Sequence, residues 1–155
     1  MSDINEDEIQ VFVDAVRQYF DQITGQSATL QSAYLGEREA PPPTFDFTGL
    51  ITISGAFRGC IYFSAPKQMV RKVLTAQGEP DHSEATMLDA TGEVANTIAG
   101  NARRHFGDQL EISVPVTLQG SARDLSSSIR SHPHIIKVGW KRLDASLIVD
   151  VAKAD

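Results

Sequence analysis

Residues 83–106 read SEATMLDATGEVANTIAGNARRHF, and the rest of the chain is best understood from this stretch. At a helical step of about 100° per residue, its apolar side chains gather on one side. These are Leu88, Val94, Ala95, Ile98, Ala99, Ala102 and Phe106. Ser83 is suited to cap the amino end of a helix, and acidic Glu84 suits its first turn. The pattern predicts one long helix with a side that faces the core.

The opposite side of this helix carries a polar stripe of Asp89, Glu93, Asn96 and Gly100. Asparagine is a poor helix former, and each glycine costs about 0.8–1 kcal/mol relative to alanine. A face that only meets water would not need Gly92, Asn96 and Gly100 together, and such departures from local rules are expected where a site is built. Glycines beside Glu93 and Asn96 would let another surface approach the helix closely. These five residues are therefore candidates for a functional site.

Composition narrows the classes of function. The chain has 155 residues, of which 41% are hydrophobic and 22% charged, which fits a single globular domain spanning residues 1–155. Its formal net charge of −6 argues against nucleic acid or an anionic membrane as the partner. The acidic start at residues 1–8 is unlike a secretory signal, and no apolar run reaches the roughly 20 residues that span a bilayer. We expect a cytoplasmic protein.

Periodicity predicts the other elements. A first amphipathic helix covers about Asn5–Thr24 and ends at Gly25, and a second is capped by Ser64 and runs to about Gln77. Strand patterns cover Thr29–Gly36, a hairpin in Phe45–Ser64 joined through Gly55–Gly59, Leu110–Val116, Thr117–Gly120, Ile135–Trp140, and Ser146–Ala152, with a turn at Leu143–Ala145. About three helices and six strands predict an α+β fold, with helices packed on a mainly antiparallel sheet.

Several smaller features have ordinary structural readings. Pro41–Pro43 is a stiff connector or, alternatively, a proline-rich docking motif, and Ser121–Ser131 has the composition of a surface loop. Pro115 indicates an edge or bulged strand position. Cys60 lies in an apolar run and is expected to be a buried thiol. His132 and His134 flank a proline without acidic or Cys neighbours to complete a ligand set, so we expect no metal site.

A resemblance to a known family rests on the run DATGEVANTIAGN, residues 89–101. It is similar to the signature helix of the CheC/CheX/FliY chemotaxis phosphatases, which is built around Glu-x-x-Asn. Supporting similarity lies in residues 49–55, 59–64 and 110–120, and the whole resemblance covers roughly Leu50–Asp150. The single motif makes the chain more similar to CheX than to the two-motif CheC. The resemblance also implies a homodimer joined through sheet edges, for which the strand Ile135–Val138 is a candidate.

The chemistry available to Glu93 and Asn96 is limited. At i and i+3 their Cβ atoms lie about 5–6 Å apart, and with no His or Cys beside them they form no nucleophile and no metal site. A carboxamide can hold a water by donating and accepting hydrogen bonds, and placing an attacking water in line accelerates phosphoryl transfer. The missing parts would then come from the substrate.

The resemblance implies what that substrate is: the phosphorylated receiver domain of a CheY-like response regulator, which brings its own Mg²⁺ and a lysine. It implies that Glu93 pairs with that lysine while Asn96 orients the water that hydrolyses the aspartyl phosphate. No cofactor is expected in this chain itself. Asp89, Gly92, Gly100 and Arg104 are the expected partner-binding residues. For Arg104 the alternative is that it complements the helix dipole.

Three hypotheses for function follow. In the first, the protein is a phosphatase that acts on the receiver. In the second, it is a non-catalytic dimeric module that binds receivers and sequesters or localises them. In the third, Glu93 and Asn96 are solvated helix residues without a role, and the glycines beside them count against this reading.

Overall fold

The computed structural model of the chain describes residues 2–37, 44–119 and 132–154. Within these residues, the helices are α1 (Glu6–Tyr19), α2 (Lys67–Ala76) and α3 (Glu84–Phe106). The strands are β1 (Ser2–Asp3), β2 (Thr29–Leu35), β3 (Phe47–Gly55), β4 (Phe57–Ala65), β5 (Leu110–Ile112), β6 (Val116–Gln119), β7 (His134–Trp140) and β8 (Leu143–Lys153). Every strand pair is antiparallel, so the predicted α+β class is confirmed, with eight strands where about six were expected.

The sheet runs in the order β2-β7-β8-β4-β3, and β5 and β6 both pair with the outer side of β3. Strand β1 pairs with the end of β8. The prediction that Ile135–Val138 supplies a free sheet edge is wrong, because β7 lies between β2 and β8 and both of its sides are paired. In the described part of the chain, the outer strands are β2 on one side and β5 with β6 on the other.

Helix α3 lies directly on the sheet, and α1 packs beside it. A close approach is at Gly49 of β3, where an added Cβ would lie 2.7 Å from the backbone oxygen of Thr91 and 3.0 Å from the Cβ of Ala95. Only glycine allows the strand and helix backbones to come this near. The main core forms between this face of the sheet and the helices, while a smaller cluster of Tyr62, Ile135 and Ile148 lies on the other face.

The ends of the first and third helices follow the sequence signals. The Asn5 side chain accepts a hydrogen bond from the Glu8 backbone at 2.8 Å, and the Glu8 carboxylate accepts one from the Asn5 backbone at 2.8 Å, which is a capping box. A π-helical segment, Phe20–Thr24, extends α1 to Gly25, where φ is 74°. Ser83 caps α3 as predicted, accepting from the Thr86 backbone at 3.3 Å.

The start of α2 differs from its prediction. Ser64 does not cap it, because the Ser64 hydroxyl is buried and accepts hydrogen bonds from the Phe45 backbone at 2.7 Å and from the Thr48 hydroxyl at 2.9 Å. The backbone amide of Lys67 donates instead to the carboxylate of Asp46 at 2.8 Å. The cap therefore comes from a residue distant in sequence, which local pattern does not reveal.

Both hairpin connections differ in position from their predictions. Ala56 alone separates β3 from β4, and Gly59 lies inside β4, where its φ of 142° and the nearby Asp150 carbonyl leave no room for a side chain. The β7–β8 turn falls at Lys141 and Arg142, with φ values of 50° and 64°, and not at residues 143–145. Two positive φ values fit a two-residue turn that matches the strand twist. The predicted connector at 41–43 and loop at 121–131 lie outside the described residues.

Candidate functional site

The two faces predicted for α3 are present. Asp89, Glu93 and Asn96 are exposed, and Gly100 is half-buried. On the other face, Val94, Ala95, Ile98, Ala99 and Ala102 are buried in the main core. The structure therefore brings the polar stripe together on one outward surface, as the helical period requires.

Gly92 has a different environment from the one expected for a partner-binding residue. It is buried, and a Cβ added there would lie 2.9 Å from Thr117 Cγ2 and 3.4 Å from Pro115 Cβ. The surface that approaches this glycine is thus the protein's own β6, with the residue that precedes it. Gly100 meets no atom within 4 Å of an added Cβ, so the helix is open to approach there.

Contacts on the inner side hold α3 in place beneath the polar stripe. The Asn101 amide donates to the backbone oxygen of Ala15 in α1 at 3.1 Å. The Phe106 ring lies 5.9 Å from the Phe12 ring and 4.9 Å from the Phe57 ring, measured between centroids. A site carried on such a packed helix is held more precisely than one on a loop.

Tyr19 lies near the stripe and was missed by the sequence analysis. It ends α1 and is 3% exposed. Burial raises the pKa of Tyr19 above its ordinary value, and the negative charge of Glu93 raises it further. No expectation was attached to Tyr19, because nothing local in the sequence indicates that α1 passes close to Glu93.

A β-bulge borders the stripe on the sheet side. Ile53 pairs with Ile112 and Leu50 pairs with Val116, so three residues, 113–115, oppose two on β3. The Ser113 amide donates to the Thr52 carbonyl at 3.0 Å, and the Thr52 amide donates to the Ser113 hydroxyl at 2.9 Å. The edge or bulged position predicted for Pro115 is confirmed.

Two exposed cations, Arg103 and Arg104, lie in the last turn of α3 before Gly107, where φ is 66°. Their position fits the dipole reading directly, since cations near a helix carboxyl end are favourable. Arg104 is also exposed on the same helix as Asn96, so contact with a partner is compatible with its place.

The residues that the structure describes contain no group of three or more His, Cys, Asp or Glu side chains arranged to hold a metal ion. His132 Nδ1 lies 3.2 Å from the Gly36 carbonyl oxygen, and His134 begins β7. Among the described helices, none combines the length and apolar composition needed to cross a bilayer.

Glu93 and Asn96 can offer a partner one carboxylate and one amide on a fixed surface. The carboxylate can pair with a cation, and the amide can both donate to and accept from a water molecule. The Asn96 amide has no useful basicity, so it can act only through its hydrogen bonds. The arrangement can position and stabilise, and it requires the reacting groups to be brought to it.

Comparison with known proteins shows the family of the chain. The family described as chemotaxis phosphatase CheX matches residues 47–139, which include all of α3. A search of curated protein sequences finds no match.

Solved structures give the same fold at low sequence identity. The chain is similar to CheX from Vibrio vulnificus, with 17% identity and a TM-score of 0.78 over 94% of this chain and 99% of that one. CheX from Desulfovibrio desulfuricans has 19% identity and a TM-score of 0.77 over 96% of this chain and 99% of that one. A third similar structure is the CheX-CheY-BeF3-Mg²⁺ complex from Borrelia burgdorferi, with 16% identity and a TM-score of 0.73 over 96% of this chain and 100% of that one. With a family match over more than half its length and this fold, the chain belongs to the CheX family of chemotaxis phosphatases.

Proposed function

We propose that this protein hydrolyses the aspartyl phosphate of a CheY-like response-regulator receiver, with Glu93 docking on a receiver lysine and Asn96 orienting the attacking water. The observation that carries the proposal is the joint exposure of Glu93 and Asn96, one helical turn apart, on a helix whose other face is buried. The structural relative crystallised with CheY supports a partner of this class.

The proposed step needs little from this chain. Asn96 holds a water in line with the bond between phosphorus and the aspartyl oxygen. The water oxygen attacks phosphorus, the aspartyl oxygen leaves as a carboxylate, and the products are inorganic phosphate and a proton taken up by phosphate or solvent. Mg²⁺ belongs to the receiver and supplies charge stabilisation there. Neither Glu93 nor Asn96 changes covalently.

Glu93 contributes differently, because a charge pair made on docking acts in the ground state as well as in the transition state. Removing it should weaken the complex. Asp89, Gly100 and Arg104 lie on the same helix and are proposed to contact the receiver around this pair. Gly92 contributes indirectly, by letting β6 close against α3.

The test uses a receiver phosphorylated with acetyl phosphate. Loss of its phosphoryl group is followed over time at rising concentrations of this protein. Asn96→Ala should raise the activation free energy of hydrolysis by about 2–4 kcal/mol and so lower the maximal rate, while the half-saturating concentration hardly changes. Glu93→Ala should raise the half-saturating concentration as well, and Glu93→Lys should raise it further because like charges then meet. Gln68→Ala, which removes an exposed amide from α2, is the matched control and should behave as wild type.

The outcomes separate the hypotheses. An Asn96→Ala protein with the wild-type maximal rate would remove the water-orienting role. A wild-type protein that binds phosphorylated receivers without accelerating their decay would be the sequestering module instead. If neither Glu93 nor Asn96 affects binding or rate, both are merely solvated.

A homodimer is also proposed, on the family resemblance and on a sheet edge that differs from the one first expected. Among the described strands, β2 is an outer one, and Tyr34 and Leu35 at its end are 42% and 54% exposed. An exposed strand edge with large apolar residues is a surface on which another copy can pair.

A further inference from the structure

The β-bulge beside α3 exposes apolar surface that no other described part of the chain covers. Val114, the middle residue of the bulge, is 80% exposed, the largest fraction among the exposed large hydrophobic residues of the described chain. Exposed apolar residues scattered singly need no explanation. This one is held at a fixed place next to the proposed catalytic face.

The hydrogen bonds around Ser113 fix the bulge. Its amide and hydroxyl form a pair of hydrogen bonds with the backbone of Thr52, and its hydroxyl also donates to the Val114 carbonyl at 2.9 Å. Such bulges are common next to active sites, where they redirect a side chain. The backbone that carries Val114 is therefore set by β3.

The same bulge lies against α3 at the residue before Glu93. Pro115 Cβ is 3.4 Å and Pro115 Cγ is 3.6 Å from the Cβ position of Gly92. Val114 and Glu93 are thus each one residue away from a direct contact between bulge and helix. A partner large enough to cover Glu93 and Asn96 would extend over this contact.

We propose that Val114, together with Pro115, is an apolar shoulder on which the receiver docks beside Glu93 and Asn96. This inference rests on the proposed function and adds to it a requirement on the partner, namely an apolar side chain beside the pocket that holds the phosphorylated aspartate. The shoulder supplies affinity, and the polar pair supplies charge matching and water placement.

A receiver fits this surface better than a strand from a second copy of the chain. Edge pairing needs a regular row of backbone donors and acceptors, and the bulge interrupts that row at residues 113–115. Pro115 also has no amide hydrogen to donate. The surface is contiguous with α3, which favours an occupant that approaches the helix.

The chain provides a matched control at Val116. It is 51% exposed on the same edge and pairs with Leu50, whose side chain packs on the sheet face away from α3. Thr117, the next residue, packs towards α3, so alternation along the strand directs Val116 to the far face. Replacing Val114 or Val116 by Asp makes the same chemical change at the bulge and, on the same edge, at a residue directed to the far face.

Receivers are first phosphorylated with acetyl phosphate, and one is chosen that loses its phosphoryl group faster when the wild-type protein is present than when it is absent. The Kd of the protein for the beryllofluoride adduct of this receiver with Mg²⁺ is then measured. Val114→Asp should raise Kd about tenfold, the factor expected for losing the burial of one valine-sized side chain. The maximal rate and the melting temperature should stay at their wild-type values. Val116→Asp should leave Kd unchanged. Val114→Ile, which keeps the side chain apolar, should bind with the wild-type Kd.

Two failures are distinguishable. If wild type accelerates decay and Val114→Asp binds as wild type does, the shoulder is refuted while the proposed function stands. Equal weakening by Val114→Asp and Val116→Asp also refutes it, because a general charge effect then explains the loss. If wild type neither binds nor dephosphorylates any receiver tested, the proposed function fails and the shoulder fails with it.

Discussion

Replacing Gly49 by alanine tests a close contact between the sheet and α3. The new Cβ would lie 2.7 Å from the Thr91 backbone oxygen, about 0.7 Å short of ordinary contact at 3.4 Å. Backbone cannot swing aside as a flexible side chain can, so α3 has to move away from β3. Overpacking of this kind costs about 1–3 kcal/mol.

A gain offsets part of that cost, because alanine in a strand avoids the roughly 0.5–1 kcal/mol entropic penalty of glycine. Gly49 also has no left-handed φ that would strain an alanine. The two ranges leave a net loss of about 0–2.5 kcal/mol, and we expect about 1–2 kcal/mol because the obstructing atom belongs to the backbone. At about 2–4 °C per kcal/mol for a chain of this size, Tm should fall by about 2–8 °C.

Gly100→Ala is the control on α3 itself. Nothing lies within 4 Å of its added Cβ, so the substitution should stabilise the helix by up to about 1 kcal/mol. Urea unfolding monitored by circular dichroism gives both free energies of unfolding. A Gly49→Ala protein as stable as wild type would refute the claim that strand and helix are in contact at this point.

Four further predictions use other parts of the molecule. Ile98→Asp buries an unpaired charge in the core, costs several kcal/mol, and should abolish cooperative melting. Arg104→Glu should slow association with the receiver in stopped-flow measurements if Arg104 docks, and leave the rate unchanged if it only complements the dipole. Burial holds the pKa of His134 below its ordinary 6.5, so the unfolded chain takes up a proton at a higher pH than the folded chain does. The free energy of unfolding should therefore fall as the pH drops below 6.5 in wild type, and fall less in His134→Gln. Leu35→Lys should shift a β2-paired dimer towards monomer in sedimentation velocity, and a monomeric wild type would remove the dimer.

The helices could be predicted from sequence because their signals are local. Asn5, Ser83 and Gly25 sit at the ends where they were expected, and the apolar period of α3 gave the correct two faces. The cap of α2 could not be predicted, because it comes from Asp46 on the far side of a hairpin. Strand ends failed for a similar reason: Gly59 resembles a turn residue, while its glycine requirement comes from the neighbouring β8.

The candidate site was predictable only as far as one helix carries it. Glu93, Asn96 and their outward direction follow from helical spacing, whereas Tyr19 and the bulge at 113–115 reach the site through tertiary packing. The prediction that β7 lies at a sheet edge was wrong because strand order depends on long-range pairing. Nothing in residues 135–138 indicates that β2 pairs with them.

Gly92 joins the fold to the proposed activity. By intrinsic propensity, glycine costs a helix about 0.8–1 kcal/mol relative to alanine, so α3 taken by itself would be more stable with alanine at this position. Alanine would place its Cβ 2.9 Å from Thr117 Cγ2, so that either the Thr117 side chain rotates or β6 moves away from the helix. Since the bulge is anchored to the same edge, moving β6 would also move Val114 and Pro115 relative to Glu93. The glycine that weakens the helix therefore keeps the apolar and charged parts of the proposed docking surface at a fixed separation.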